Sequence, residues 1–286
     1  MKYTARQPET NVNVTPTSPL KEFFILTSVL LSLAIFIYLV LGLAVDLIVP
    51  HISPDLEEKM ALHFVGSFDT RDNDSEKAAY IQSLIESMQI RCTEVPYQFT
   101  IHVHKGPVAN ALAMPGGHVI IFTELLDTVM SENELAFVLA HEMGHYANRD
   151  HLRGVGRRFV FMTMSAFLFG PNSSVSKMLA HSLNLTELNF SREQEYRADE
   201  FAVITLNCAY GHANGATDFF EKIPKERDPG KFGHYFASHP ENRRRISRIN
   251  NIIQTREFKL AERKPLPAVI RKSKIGNNQG LTPNQF

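Results

Sequence analysis

The hydrophobic pattern opens with one long apolar run. From Phe23 to Val45 there are 23 consecutive residues without a charge, most of them Leu, Ile, Val or Phe, and about 20 such residues suffice for a helix to cross the hydrocarbon core of a bilayer. The run is longer than the apolar core of a secretory signal, it follows a long polar arm (residues 1–22, with Pro8, Pro16 and Pro19), and no small-x-small cleavage site follows it. The pattern therefore predicts a retained transmembrane anchor over residues 23–49 rather than a cleaved leader.

Beyond the anchor the periodicity shortens and changes. Asp55–Leu62 and Ser75–Ile90 predict helices, the second with Ile81, Leu84, Ile85 and Met88 among its apolar positions. Tyr97–His104 alternates apolar and polar residues as a half-buried strand does, residues 106–117 read as a turn-rich connection, and His118–Phe122 predicts a second strand. Ser131 with Glu134 forms a capping box ahead of LAFVLAHEMGHYAN, and Ser191 with Gln194 forms another ahead of a helix reaching about Ala209. Phe159–Gly170 is apolar for only twelve residues, which is too short to span and reads as a buried or interfacial segment, core packing being the simpler choice. A basic helix is expected over Glu241–Phe258. The fold class expected is α+β, mainly helical: a domain over residues 51–258 with a small sheet, behind one transmembrane helix. A disordered Lys-, Pro-, Asn- and Gln-rich tail is expected over residues 259–286.

Charge and cysteine content narrow this only slightly. Thirty basic and thirty acidic residues cancel, so nothing global points to a nucleic-acid partner. Cys92 and Cys208 lack metal or redox spacing; one bridge fits an oxidising compartment, but two unpaired, partly buried thiols are the expectation. Lys2, Arg6 and Lys21 precede the span, whereas Lys59 stands alone in the first twenty residues after it. That bias favours an inside N-terminus and a domain on the outer side.

The chemistry concentrates in His141-Glu142-Met143-Gly144-His145. A helix sets residues i and i+4 on one face, so two imidazoles converge as a tetrahedral Zn²⁺ requires. Glu142 is turned by about 100°, beside the metal rather than on it, where it can act as general base toward a zinc-bound water. The bland alternative is a pair of core histidines with a salt-bridged glutamate. A third ligand is needed, and the helix after Ser191 offers Glu193 and Glu195. Glu195 is the better candidate, because it shares a face with Asp199 and is flanked by the small Ala198 and Ala202, whereas Glu193 pairs with Arg197 as on a solvated face. Asp199 is placed to orient a ligating histidine from behind.

The HEMGH run, Ser191–Asp199 (SREQEYRAD), Ser238–Ile246 (SHPENRRRI) and the PGG turn with its strand (Pro115–Phe122) together resemble the zinc metallopeptidase family of HtpX and the CAAX prenyl protease. The resemblance covers residues 51 to about 255. It implies a gluzincin-type fold, with His141, His145 and Glu195 as ligands of one Zn²⁺, Glu142 as catalytic base and Asp199 as orienter. It also implies His239 near the metal, as a gate or an oxyanion donor, with Arg245 in the same element as a further catalytic candidate. By the same resemblance a protein or peptide substrate binds as an extended strand along a sheet edge, here His118, Val119 and Ile120, with Gly116 and Gly117 admitting its backbone. The expectation is a single-pass, membrane-anchored zinc endopeptidase, in a bacterial inner membrane and engaged in protein quality control. The alternative is a tethered zinc protein of chaperone-like or binding character that cleaves little.

Overall fold

In the computed structural model, which describes residues 18–65, 74–182, 190–222, 232, 235, 238, 239 and 242–271, the chain passes through α1 (Pro19–Ile48), α2 (Pro54–Val65), α3 (Ser75–Cys92), β1 (Thr100–His104), β2 (Ala111–Met114), β3 (His118–Phe122), α4 (Thr123–Thr128), α5 (Glu132–Ala147), α6 (Asp150–Phe169), α7 (Ser174–Ser182), α8 (Arg192–Tyr210), α9 (Asp218–Glu221) and α10 (Asn242–Thr255). The expected arm over residues 1–17 and the expected tail beyond residue 271 lie outside the described residues.

Helix α5 is the axis. The Ser131 side chain accepts a hydrogen bond from the Glu134 N–H, and every residue from Glu132 to Tyr146 is buried. A helix apolar on most sides must be enclosed on most sides. Its enclosure comes from α3 and α8 and from one face of the sheet, where Ala111, Ala113, Val119 and Ile121 join Leu135, Phe137 and Leu139 in one core. α8 begins at the Ser191/Gln194 capping box and ends at Gly211, whose φ of 73° closes the helix in the left-handed region.

The sheet differs from expectation in its centre. Its order is β1-β3-β2, with β1 parallel to β3 and β2 antiparallel to it, pairing Leu112 with Ile120 and Met114 with His118. Residues 106–117 thus contain a strand. Four short, wholly buried residues (ALAM) show no alternation to reveal it. β1 is shorter than Tyr97–His104 because glutamines of α3 take the backbone groups before it. Gln89 donates to the carbonyls of Val95 and Tyr97, and Gln82 donates to that of Phe99 while accepting from the Ile101 N–H.

Three further expectations are corrected. Cys92 and Cys208 are joined in a disulfide: α3 and α8 pack side by side and bring the two Cα atoms to 5.8 Å, within bridging range. Residues 259–271 are not a loose tail. Lys264 accepts from the Glu132 N–H and donates its own N–H to Asn133 Oδ1, Pro265 pairs with Ser131, and Leu266 and Ile270 are buried. Phe159–Gly170 is not core. It forms the outer half of the 20-residue helix α6, which packs along α1 with Phe159 and Phe167 exposed.

Candidate metal centre

The approach of α8 to α5 is set by one glycine. A Cβ on Gly144 would lie 2.9 Å from Ala198 Cα, so only a residue without a side chain lets the two helices touch. That contact lays Glu195 and Asp199 of α8 beside the imidazoles of α5. His141 Nε2 and His145 Nε2 are 3.2 Å apart, and each is 3.5 Å from a carboxylate oxygen of Glu195. His239 enters from the segment before α10, its Nδ1 lying 3.3 Å from His141 Nε2 and 2.9 Å from Glu195 Oε1. Among the described residues these four side chains form the only such group of donors, and all four are buried.

Each imidazole is braced from behind. His141 Nδ1 lies 3.0 Å from Asp199 Oδ1. His145 Nδ1 lies 3.1 Å from Asp150 Oδ2, and the Phe190 ring stacks on the same imidazole at 3.8 Å. Gln194, having closed the capping box, also donates to Asp150 Oδ1 at 2.8 Å. His239 stacks on the Tyr235 ring at 4.7 Å.

Arg245 is enclosed completely. Its Nε and Nη2 donate to the two oxygens of Asp199 at 2.8 and 2.7 Å, its Nη1 lies 2.5 Å from Glu195 Oε2, and its guanidinium covers the Phe220 ring. It meets the centre through both carboxylates and also lies against the His141 imidazole, its Nη2 3.3 Å from Nδ1.

The electrostatics follow from burial and these partners. Burial, with the Arg245 charge alongside, pushes His141 down to about 4. Burial alone would also lower His145, but the carboxylates of Asp150 and Glu195 outweigh it and raise the ring to about 9. Burial would raise Glu195, but His239 and Arg245 hold it well below the usual carboxylate range. Asp199 is lowered in the same way, burial being overcome by Arg245 and His141. At Glu142 burial prevails over the lowering by His239 and His145, and its pKa is raised. Its Oε1 stands 3.7 Å from His239 Nε2, and its Oε2 is buried without a hydrogen-bond partner.

These residues fit a zinc ion. Donors at about 2.0–2.1 Å from a tetrahedral zinc lie about 3.3 Å from one another, close to the separations here, and an orphaned carboxylate oxygen beside them suits an unmade bond to water.

The expected substrate residues are placed differently. His118, Val119 and Ile120 belong to β3, the central strand, so their backbone groups are already paired on both sides. Gly116 and Gly117 have φ of 77° and 83°, and their open faces are filled from within. A Cβ would lie 2.7 Å from Ala61 Cβ at Gly116 and 2.3 Å from Gln98 O at Gly117. Sequence reasoning missed Asp150, Gln194, Phe190 and Tyr235. Of these only Asp150 left a signal, an acidic residue five positions after His145 where a new helix starts.

Comparison with known proteins agrees with this geometry. The profile of peptidase family M48 matches residues 75–253. The chain is 30% identical over 141 residues to the mitochondrial metalloendopeptidase OMA1 of Arabidopsis thaliana, covering 49% of this chain and 28% of that protein. It is 29% identical to the protein of that name in Schizosaccharomyces pombe (57% of this chain, 49% of that one), and 27% identical to the metalloprotease LoiP of Escherichia coli (62% and 71%). The chain thus spans less than half the length of the two OMA1 proteins. With a family match over most of its length, the chain belongs to peptidase family M48.

Proposed function

We propose that this chain is a membrane-anchored zinc endopeptidase. The observation that carries the reading is the convergence of His141, His145 and Glu195 at tetrahedral separations, beside a buried Glu142 with a free oxygen. His141, His145 and Glu195 hold the ion, which when bound supplies Lewis acidity toward the scissile carbonyl and the attacking water. Glu142 takes the proton of that water and hands it to the leaving amine, and its raised pKa suits both halves of that task. Asp199 and Asp150 fix the two imidazoles, and Arg245 fixes Asp199 and Glu195.

His239 has a defined place in this scheme. Its Nδ1 stands as a fourth donor, whereas catalytic zinc sites keep that position open. The folded arrangement is therefore the closed form, and cleavage requires the imidazole to swing away. The same observation favours the second reading, a tethered zinc protein that cleaves little.

Substrate is assigned to the β2 edge. β1 also lies at an edge, but Gln82 takes the Phe99 carbonyl and the Ile101 N–H where that edge begins. β2 adjoins α5, whose Tyr146 hydroxyl bonds the Met114 N–H and carbonyl, so a chain paired along Ala111–Met114 runs beside the metal helix. The catalytic domain is assigned to the outer side of the membrane. The flanking Lys and Arg bias and the Cys92–Cys208 disulfide, which persists in oxidising compartments, both support that side. Membrane-proximal or misfolded proteins, the substrates of quality control, suit a domain held this close to the bilayer.

The test is cleavage of casein by the purified full-length protein. Glu142→Gln is expected to abolish cleavage while zinc stays bound at one per chain; full activity in that variant would end the reading.

A further inference from the structure

Helices α1 and α6 share a charged collar. Asp46, just past the apolar run of α1, accepts two hydrogen bonds from Arg157 at 2.9 Å and lies 3.4 Å from Arg153 Nε. From that level both helices continue side by side, in opposite chain directions, with no further charge on either: α1 back through Val45 to Phe23, α6 forward from Phe159 to Phe169. Phe161 packs edge-on against Tyr38, about 12 Å beyond Asp46 at 1.5 Å per residue. Leu168 and Phe169 reach the level of Ala34 and Ile35, about 17 Å from the collar, or roughly half the hydrocarbon thickness of a bilayer.

Three phenylalanines of this stretch point outward. Phe159 is 70% exposed, Phe167 88% and Phe169 53%. At the collar, an open apolar hollow of about 580 Å³ runs between the helices, bounded by Val45, Ile48, Val155 and Phe159. After Gly170 the chain turns back as α7, and several polar groups of that turn bond within the protein, while Asn172 is exposed. Ser176 Oγ donates to the carbonyls of Gly170 and Ser165, Ser173 Oγ accepts from the Ser176 N–H, and the Lys177 N–H bonds the Ser173 carbonyl. Hydrocarbon tolerates a turn only when its backbone is paired within the protein. Lys177 is the one charge on α7, and its long stem can carry the ammonium back toward the headgroups.

We propose that α6 and α7 form a helical hairpin inserted about half-way into the bilayer beside α1, its apolar face covered by lipid acyl chains. The occupant follows from continuity: the exposed face of α6 extends the face of α1, starts at the same charged level and carries the same residue types. This rests on α1 being a membrane span. It adds a second membrane element, and one that bears on the metal centre, because the first residue of α6 is Asp150, the brace of His145. The bilayer thereby holds the helix that steadies a metal ligand.

The test places a nitroxide on single introduced cysteines in the full-length protein, reconstituted in phosphatidylcholine–phosphatidylglycerol nanodiscs. Phe167→Cys reports the hairpin, Leu31→Cys the anchor and Leu260→Cys a water-facing site. The ratio of oxygen to nickel-chelate collision rates is expected to be several-fold higher at positions 167 and 31 than at 260. A label at 167 that behaves like 260, while 31 stays lipid-like, would overturn the hairpin and leave the anchor standing. Shielding of 167 from both reagents would overturn it in favour of cover by a second copy or another protein. Water exposure at 31 as well would remove the anchor and the hairpin together.

Discussion

Single side chains in the centre work in pairs, one facing the metal position and one facing away. His145 illustrates the consequence. Asp150 and Glu195 keep its imidazole protonated up to about pH 9 in the metal-free protein, whereas a ligand imidazole must be neutral at the coordinating nitrogen. Below that pH the ion must displace the Nε2 proton, and above it there is none to displace. Zinc loading at pH 7 is therefore expected to release about one proton from this ring, a release that fades as the pH passes 9; calorimetry in buffers of different ionisation enthalpy measures it. His239 yields a second expectation. If its imidazole closes the site, His239→Ala should cleave casein several-fold faster than the parent at equal zinc content, and a slower variant would argue for an oxyanion role instead.

Whole elements show what could be read before the structure and what could not. α5 and α8 were legible because their signals are local: two N-cap serines, of which Ser191 closes a full capping box whereas Glu134 bonds the Met130 N–H instead of the Ser131 N–H, a run of apolar positions and the spacing of His141 from His145. The candidate ligands were legible for the same reason, since Glu195 and Asp199 stand one helical turn apart. β2 was not, because four buried residues carry no period, and its insertion moved β3 from the edge to the middle of the sheet. Asp150 was missed because a carboxylate at a helix start has an ordinary local explanation in the helix dipole; only the fold turns it toward His145. The α5–α8 contact, by contrast, has a cost that can be measured. Gly144→Ala places a methyl 2.9 Å from Ala198 Cα, and overpacking of this kind typically costs about 1–3 kcal/mol. Thermal unfolding should show that loss, and zinc titration should show weaker binding, because Glu195 rides on the helix that is pushed away.

At the scale of the molecule, contacts distant in sequence hold the centre in place, and these were the least legible. The Cys92–Cys208 bridge, 116 residues apart in sequence, joins the ends of α3 and α8 and so secures the helix that carries Glu195. Breaking it is expected to lower stability by about 2–4 kcal/mol, read from denaturant unfolding with and without reductant at saturating zinc. The second such contact is the return of residues 259–271 to the mouth of α5. Glu132 receives hydrogen bonds from Tyr80, Tyr210 and Lys264, and the Lys264 backbone ties down the Glu132 N–H and the Asn133 side chain at the start of the helix. A protein trimmed to the family-matched span, residues 75–253, would lack that seam. Its active helix would start frayed, with the Asn133 amide and the Glu132 N–H facing water, so weak activity in such a fragment would reflect a lost clasp and not a poor enzyme.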